Sequence, residues 1–238
     1  TYGGVLCAQY STLSDAVQGA AHNLTECDIH SNEAAWQAGV VYNDESEVRL
    51  TSCVVRDNLA VLDGGVSYEY FGFATSLVGG SYVRNFAMND GGVIATADLY
   101  IGSIYISNAM VRGNGAALKG GVVKVSFGAS GMSTLQGGTY IRNGALEGGV
   151  VHVAKGSLSI DAAKFAECSA EYGAVVYTTL GDVSANGSTF ARNNATFGGV
   201  VAIDEATTAI ALTNCTARGN KASAQGGVVY CCRDYCKI

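Results

Sequence analysis

The sequence predicts an all-β fold, a single-stranded right-handed parallel β-helix (solenoid) of about nine rungs, and three observations predict it. A Gly-Gly-Val phrase recurs from end to end, no helical period of useful length separates its copies, and proline is absent from all 238 residues. A repeat of 20 to 50 residues indicates stacked supersecondary units. Parallel strands buried in a coil cannot spare ladder donors, which accounts for the missing proline.

The second glycine position falls at Gly4, Gly39, Gly65, Gly92, Gly121, Gly149, Ala174, Gly199 and Gly227, in steps of 25 to 35 residues. A propeller blade needs about 40 to 45 residues, so this repeat is too short for one. Valine follows every station, and a mostly apolar residue follows the valine. Such β-branched runs read as strands on a pleated, close-packed surface. Halfway through each repeat stands a second apolar run with its own turn: Tyr82-Val-Arg-Asn85, Tyr140-Ile-Arg-Asn143 and Phe190-Ala-Arg-Asn193. Phe165-Ala-Glu-Cys168 has cysteine in place of the asparagine. Four other repeats, ending at Asn32, Asn58, Asn114 and Asn220, read as carrying one inserted residue after Cys27, Cys53, Ala109 and Cys215. Each unit thus holds at least two strands and an asparagine turn. Winding one unit per turn stacks asparagine on asparagine at about 4.8 Å and gives a rod roughly 40 Å long. Right-handed winding follows from the general chirality of parallel crossovers.

The paired Gly-Gly-[apolar]-[Val/Ile] and Phe-x-x-Asn motifs resemble the repeats of chlamydial polymorphic outer-membrane proteins and of related algal and protist cell-surface proteins. The resemblance covers nearly the whole chain and implies a right-handed β-helix on a cell surface, often adhesive. The sequence departs from that pattern in carrying valine where alanine usually follows the glycines, and in often placing cysteine at the aromatic position. It also shows no membrane β-barrel region. Repeats of this kind specify a fold more strongly than a function.

Residues 1–230 form one repeat domain, with no linker between Cys27 and Tyr230. Residues 8–26 explain the longest step and read as an inserted loop or short helix. Residues 231–238, with Cys231, Cys232 and Cys236, read as a cysteine-rich cap or the start of a further segment. The opening Thr1-Tyr-Gly-Gly-Val5 begins mid-phrase, as expected of a processed product or part of a longer chain. No signal peptide and no apolar run long enough to span a membrane is visible. The net charge of −6 argues against a nucleic-acid partner.

Cys27 and Cys53 occupy the same place in successive repeats and are the pair best placed to bridge. The terminal cysteines have no accompanying histidine and no Cys-x-x-Cys spacing, so no metal is expected there. Four sequons, at Asn23, Asn186, Asn194 and Asn214, join the eight cysteines in favouring a secretory route and an extracellular or cell-surface location. Asn23, in the inserted segment, is the first candidate for a glycan.

The acids are scattered, without the converging carboxylates of a polysaccharide hydrolase or lyase, so the chain is read as non-enzymatic and without cofactors. His152 stands alone and reads as a surface substitution. A basic column beside the asparagine turn (His30, Arg56, Arg84, Arg112, Arg142, Arg192 and Arg218, interrupted by Glu167) is a candidate grip for an acidic glycan or partner. Its bland alternative is a solvated turn whose arginines pair with acids such as Asp57 and Glu167. Strand alternation places the first valine column on the same face as Tyr68, Lys124, His152 and Tyr177. On that reading Val66, Val93, Val122, Val150, Val175 and Val200, with Tyr68 and Tyr177, form an outward assembly face, unless loops cover it or a corner bulge shifts the parity. The functional expectation is a rigid structural building block of a surface filament, hair or sheath, packed against itself or other structural proteins. A glycan-binding or host-binding adhesin is the alternative, and a polysaccharide lyase or hydrolase with an unrecognised site is the enzymatic one.

Overall fold

β-Branched runs broken by tight corners wind the chain into a parallel β-solenoid of about seven turns. The computed structural model describes residues 6–8, 21–44, 46–71, 74–97, 102–126, 132–204 and 209–232. The nine stations yield fewer turns because a turn needs every strand position filled, and Gly227 opens one with only its first strand, Val229–Cys231, described. Among the described residues there is no helix, and none long and apolar enough to cross a membrane.

Each full turn has four strand positions, twice the minimum read from sequence. In the turn from Ser67 these are Ser67–Glu69 after the glycines, then Ala74–Val78, Ser81–Val83 and Phe86–Ala87. The first two positions belong to one 15-stranded sheet and fuse into 11-residue strands at Val151–Asp161 and Val176–Asn186. The third builds an 8-stranded sheet, and the fourth forms two short ladders. All pairings between turns are parallel and almost all in register, for example Ala74↔Ser103 through Val78↔Ser107.

The glycine corner explains the commonest phrase in the sequence. Gly64 has φ 71°, and a Cβ on it would lie 2.2 Å from the Ser67 carbonyl oxygen. A Cβ on Gly65 would lie 2.2 Å from the Gly92 oxygen one turn on. The first glycine permits the bend, and the second permits the next turn to approach. Immediately after it, the N–H groups of both Val40 and Val41 donate to the one carbonyl of Val66, at 3.0 and 2.9 Å. The same convergence recurs at every later corner to Val200 and Val201, which share the Val228 oxygen. Two donors on one acceptor make a bulge, and a bulge breaks the alternation of side chains. Both valines therefore point inward.

This corrects the expected assembly face: Val66, Val93, Val122, Val150, Val175 and Val200 are fully buried in the main core. Each contributes roughly 1.5–3 kcal/mol by leaving water. The next residue does point outward, but Tyr68 is buried too, stacked on Tyr42 in a small satellite cluster with Ala38 and Ala95.

Two further corners per turn use the left-handed region. One carries Glu26, Ser52, Asn108, Ala162 and Asn214, with φ of 50–53°. The other carries Asp57, Arg84, Arg142, Glu167 and Arg192, with φ of 52–58°, and the asparagine follows it. Non-glycine residues adopt this conformation at a cost, so something must hold it. The asparagine column does. Asn114 Oδ1 accepts from the Asn85 backbone N–H at 2.9 Å and from Asn85 Nδ2 at 3.0 Å, while Asn114 Nδ2 donates to the Tyr82 carbonyl at 2.8 Å. The pattern runs from Asn32 to Asn143 and resumes from Asn193 to Asn220. Between them Cys168 offers only a thiol, 3.6 Å from the Tyr140 carbonyl.

Register also corrects the inserted residues. Val55 pairs with Tyr82, and Val111 with Tyr140, so Val55 and Val111 occupy the aromatic place. No residue is inserted, and Cys27 and Cys53 belong two positions earlier. Within the core the aromatic rings stack, Tyr140 on Phe165 at 4.8 Å and Phe165 on Phe190 at 5.2 Å.

Asn114→Ala is expected to destabilise the fold by about 3 kcal/mol, because it strands two donors of Asn85 and the Tyr82 carbonyl in a buried corner. Cys168→Asn is expected to stabilise it by about 1 kcal/mol by completing the column. Urea titration of both variants checks the pair; a neutral Asn114→Ala contradicts the role given to the ladder.

Candidate functional site

With the valines inside, the exposed apolar side chains lie elsewhere. Trp36, Leu62, Met88, Leu118 and Leu146 all occupy the stretch between the fourth strand and the glycine corner, on successive turns. Trp36 and Met88 are more than half exposed, at 55% and 52%. Hydrogen bonds between turns join the same stretch on each turn, within one residue of register: Leu62 N–H donates to the Trp36 carbonyl, Met88 N–H to that of Ala60, and Asn89 links Leu62 to Leu118. Phe86 stands beside them, its ring over Gly115, where a Cβ would come within 3.2 Å of it. The result is an apolar ridge over five successive turns. Sequence reading missed it because these residues follow no single motif and differ in type at every turn.

The basic column divides in two. His30, Arg56 and Arg112 share a register position with Val83 and Ile141, at the end of the third strand. Arg84, Arg142 and Arg192 stand one residue later, at the left-handed corner, in line with Asp57 and Glu167. There the charges alternate. Arg84 makes a two-pronged bond to Asp57 at 2.7 and 2.9 Å, and Glu167 accepts from Arg142 at 2.8 Å and Arg192 at 3.0 Å. Arg56 lies 3.4 Å from Asp28. The arginines hold the carboxyls of Asp57 and Glu167 below the usual range. Exposed pairs of this kind contribute little to stability. Their effect here is to neutralise the corner, leaving Arg112 and Arg218 without an acidic partner among the described residues.

His152 is buried rather than a surface substitution. Its Nε2 lies 3.2 Å from Glu147, and its ring stacks on Tyr177 at 5.3 Å. Tyr177, half-buried, also meets Tyr172 edge-on. Burial holds the imidazole below its ordinary pKa despite the carboxylate. The histidine and the glutamate form one largely buried polar pair, with Tyr177 covering the ring. No cluster of three or more metal-ligating side chains occurs among the described residues.

All four sequon asparagines are exposed. Asn23, expected in a loop, lies in the strand Ala21–Thr25, paired with Glu47–Thr51; the insertion is therefore shorter than residues 8–26, and residues 9–20 lie outside the described residues. Asn186 shares a register position with Asp161, to which its Nδ2 donates at 3.2 Å, and Asn214, at the left-handed corner one residue after Thr213, donates to Asn186 at 3.4 Å. Cys27, Cys53 and Cys232 are free thiols, while Cys236 lies outside the described residues. On the open face of the second strands, two adjoining grooves of about 520 and 420 Å³ share Ser159, Ser184 and Ala211 as a floor. Asp182 borders one and Asp161 the other.

The most unusual titratable group is Glu69, fully buried at the end of a strand after the glycines. Asn43 Nδ2 and Ser67 Oγ both donate to its carboxyl, and Ser46 Oγ in turn bonds Asn43. Desolvation outweighs these bonds and pushes its pKa up to about 7. The folded state therefore holds a proton that the unfolded chain releases near pH 4.5. The stability Glu69 contributes is complete below that value and is lost as pH rises towards 7, by about 3 kcal/mol. His152 acts with the opposite sign, since a depressed histidine contributes stability above its unfolded pKa. Comparison with Glu69→Gln isolates the glutamate: wild type minus variant should fall between pH 4.5 and 7 in thermal melts. A difference flat across that window contradicts a buried, protonated Glu69.

No family model matches the chain, and no curated protein or solved structure matches it.

Proposed function

We propose that the chain is a rigid scaffold that packs against further copies of itself through the ridge of Trp36, Leu62, Met88, Leu118 and Leu146, as a building block of an extracellular or cell-surface structure. The ridge carries this reading: large apolar side chains repeated on one line of a rod mark a protein contact. A second copy suits the line because one large apolar side chain recurs on each of five turns, and the turns repeat at the strand spacing of about 4.8 Å, so a partner with the same period meets every one of them. The arginine corner supports the reading from the other side, because its charges are largely neutralised within the rod. The repeat resemblance and the exposed sequons support the surface location.

Met88→Glu with Leu118→Glu is expected to weaken self-association at least tenfold by sedimentation velocity, with melting unchanged, since both residues are exposed. Wild type that stays monomeric at high concentration, or a double variant that assembles equally well, contradicts the proposal.

Glycan binding is the second reading, and the paired grooves are the observation in its favour. Their floor of small hydroxyl-bearing and methyl side chains, edged by Asp161 and Asp182, suits an uncharged polysaccharide better than an acidic one. Ser184→Trp, which fills the shared floor, should abolish retention on neutral polysaccharide columns; retention unchanged in that variant removes the grooves from consideration.

A further inference from the structure

The column that precedes the third strand carries Cys27, Cys53, Gly80, Ala109, Gly138, Ala163, Ser188 and Cys215 on successive turns. Small residues fill it because the left-handed corner immediately before them leaves little room. Only its first two described members are cysteines on neighbouring turns. Asp28 pairs with Val54, and Val54 N–H donates to the Cys27 carbonyl at 2.8 Å, so the two cysteines face one another across one strand spacing. That spacing, about 4.8 Å, falls within the Cα range a disulfide spans. Cys53 is fully buried, and half-buried Cys27 packs against the same core. Each sulfur donates to a backbone carbonyl, Cys27 Sγ to Thr25 at 3.4 Å and Cys53 Sγ to Leu24 at 3.3 Å.

We infer that Cys27 and Cys53 are a disulfide site: an inter-turn clasp closed by thiol–disulfide exchange with a small disulfide oxidant such as oxidised glutathione. Cys27, the more accessible thiol, loses its proton and attacks one sulfur of the oxidant, releasing one thiolate and leaving a mixed disulfide. Cys53 then loses its proton and attacks the Cys27 sulfur, releasing the second thiolate. The protein gives up two electrons and two protons, and the oxidant becomes two thiols. Burial holds the Cys53 thiol above its ordinary pKa, which assigns the first attack to Cys27 and the resolving step to Cys53. In a stack whose turns are coupled only to their neighbours, a bond between these turns resists opening from that side. This inference stands apart from the assembly reading and does not depend on the ridge.

The test uses the full chain, purified reduced and then incubated with oxidised glutathione. The expected product has lost two hydrogens in a Cys27–Cys53-linked peptide, and its melting temperature rises by roughly 5–10 °C, as closure of a loop of this length gives. Cys27→Ser and Cys53→Ser should each abolish the linked peptide and the rise. A glutathione adduct that persists at Cys27, a link from either residue to another cysteine, or both thiols remaining open to alkylation in the oxidised, folded protein would overturn the assignment.

Discussion

Every turn of this solenoid must return to the same point above the last, and the interaction that enforces it is the asparagine side chain at the left-handed corner. Asn85 illustrates the division of labour. Its Oδ1 accepts from the Asn58 backbone N–H, replacing a ladder partner that the corner has turned away, and its Nδ2 reaches back to the Val55 carbonyl and forward to Asn114. One side chain thus satisfies an N–H and a carbonyl of the preceding turn and binds the asparagine of the next, inside a corner where water cannot. Loss of a bond there leaves buried polar groups unpaired, which costs more than the bond itself contributes.

Much else in the molecule follows from a fixed turn. Because strands stack in register, each column collects residues with one task, and departures from the column stand out. Glycine pairs allow close approach, valines fill the core from both sides of a bulge, and aromatic rings stack where the third strand faces inward. At the corner the side chains with positive φ are charged, and successive turns alternate in sign where Asp57 meets Arg84 and Glu167 meets two arginines. Like charges at the strand spacing would repel, so the alternation is part of what makes the stack tolerable.

The columns defined by residue identity were legible in the sequence. Glycine, asparagine and the valine after the glycines repeat as letters, and the parallel solenoid followed from them. Side-chain direction was not legible. The rule of alternating faces put Val150 and its column outside, whereas two N–H groups sharing one carbonyl turn the chain at that point, and no letter marks the bulge. The basic column failed for a related reason: reading an inserted residue after Cys53 and Ala109, instead of aligning on the inward-facing Val55 and Val111, displaced Arg56 and Arg112 by one position relative to Arg84. The apolar ridge escaped notice because Trp, Leu and Met serve equally well on an exposed line, so no repeated letter reveals it. Glu69 stands where the neighbouring turns carry Asn43 and Thr96, and its burial depends on neighbours a turn away.

Amide hydrogen exchange on the native chain tests the central claim most directly. If side-chain oxygens hold the corner, the backbone amides of Asn58, Asn85, Asn114 and Cys168 should exchange as slowly as those of Val93 and Val122 in the strand ladder. Exchange at those four amides as fast as in an exposed turn, with the valine amides still protected, would contradict the account, because the corner would then be held by the strands alone.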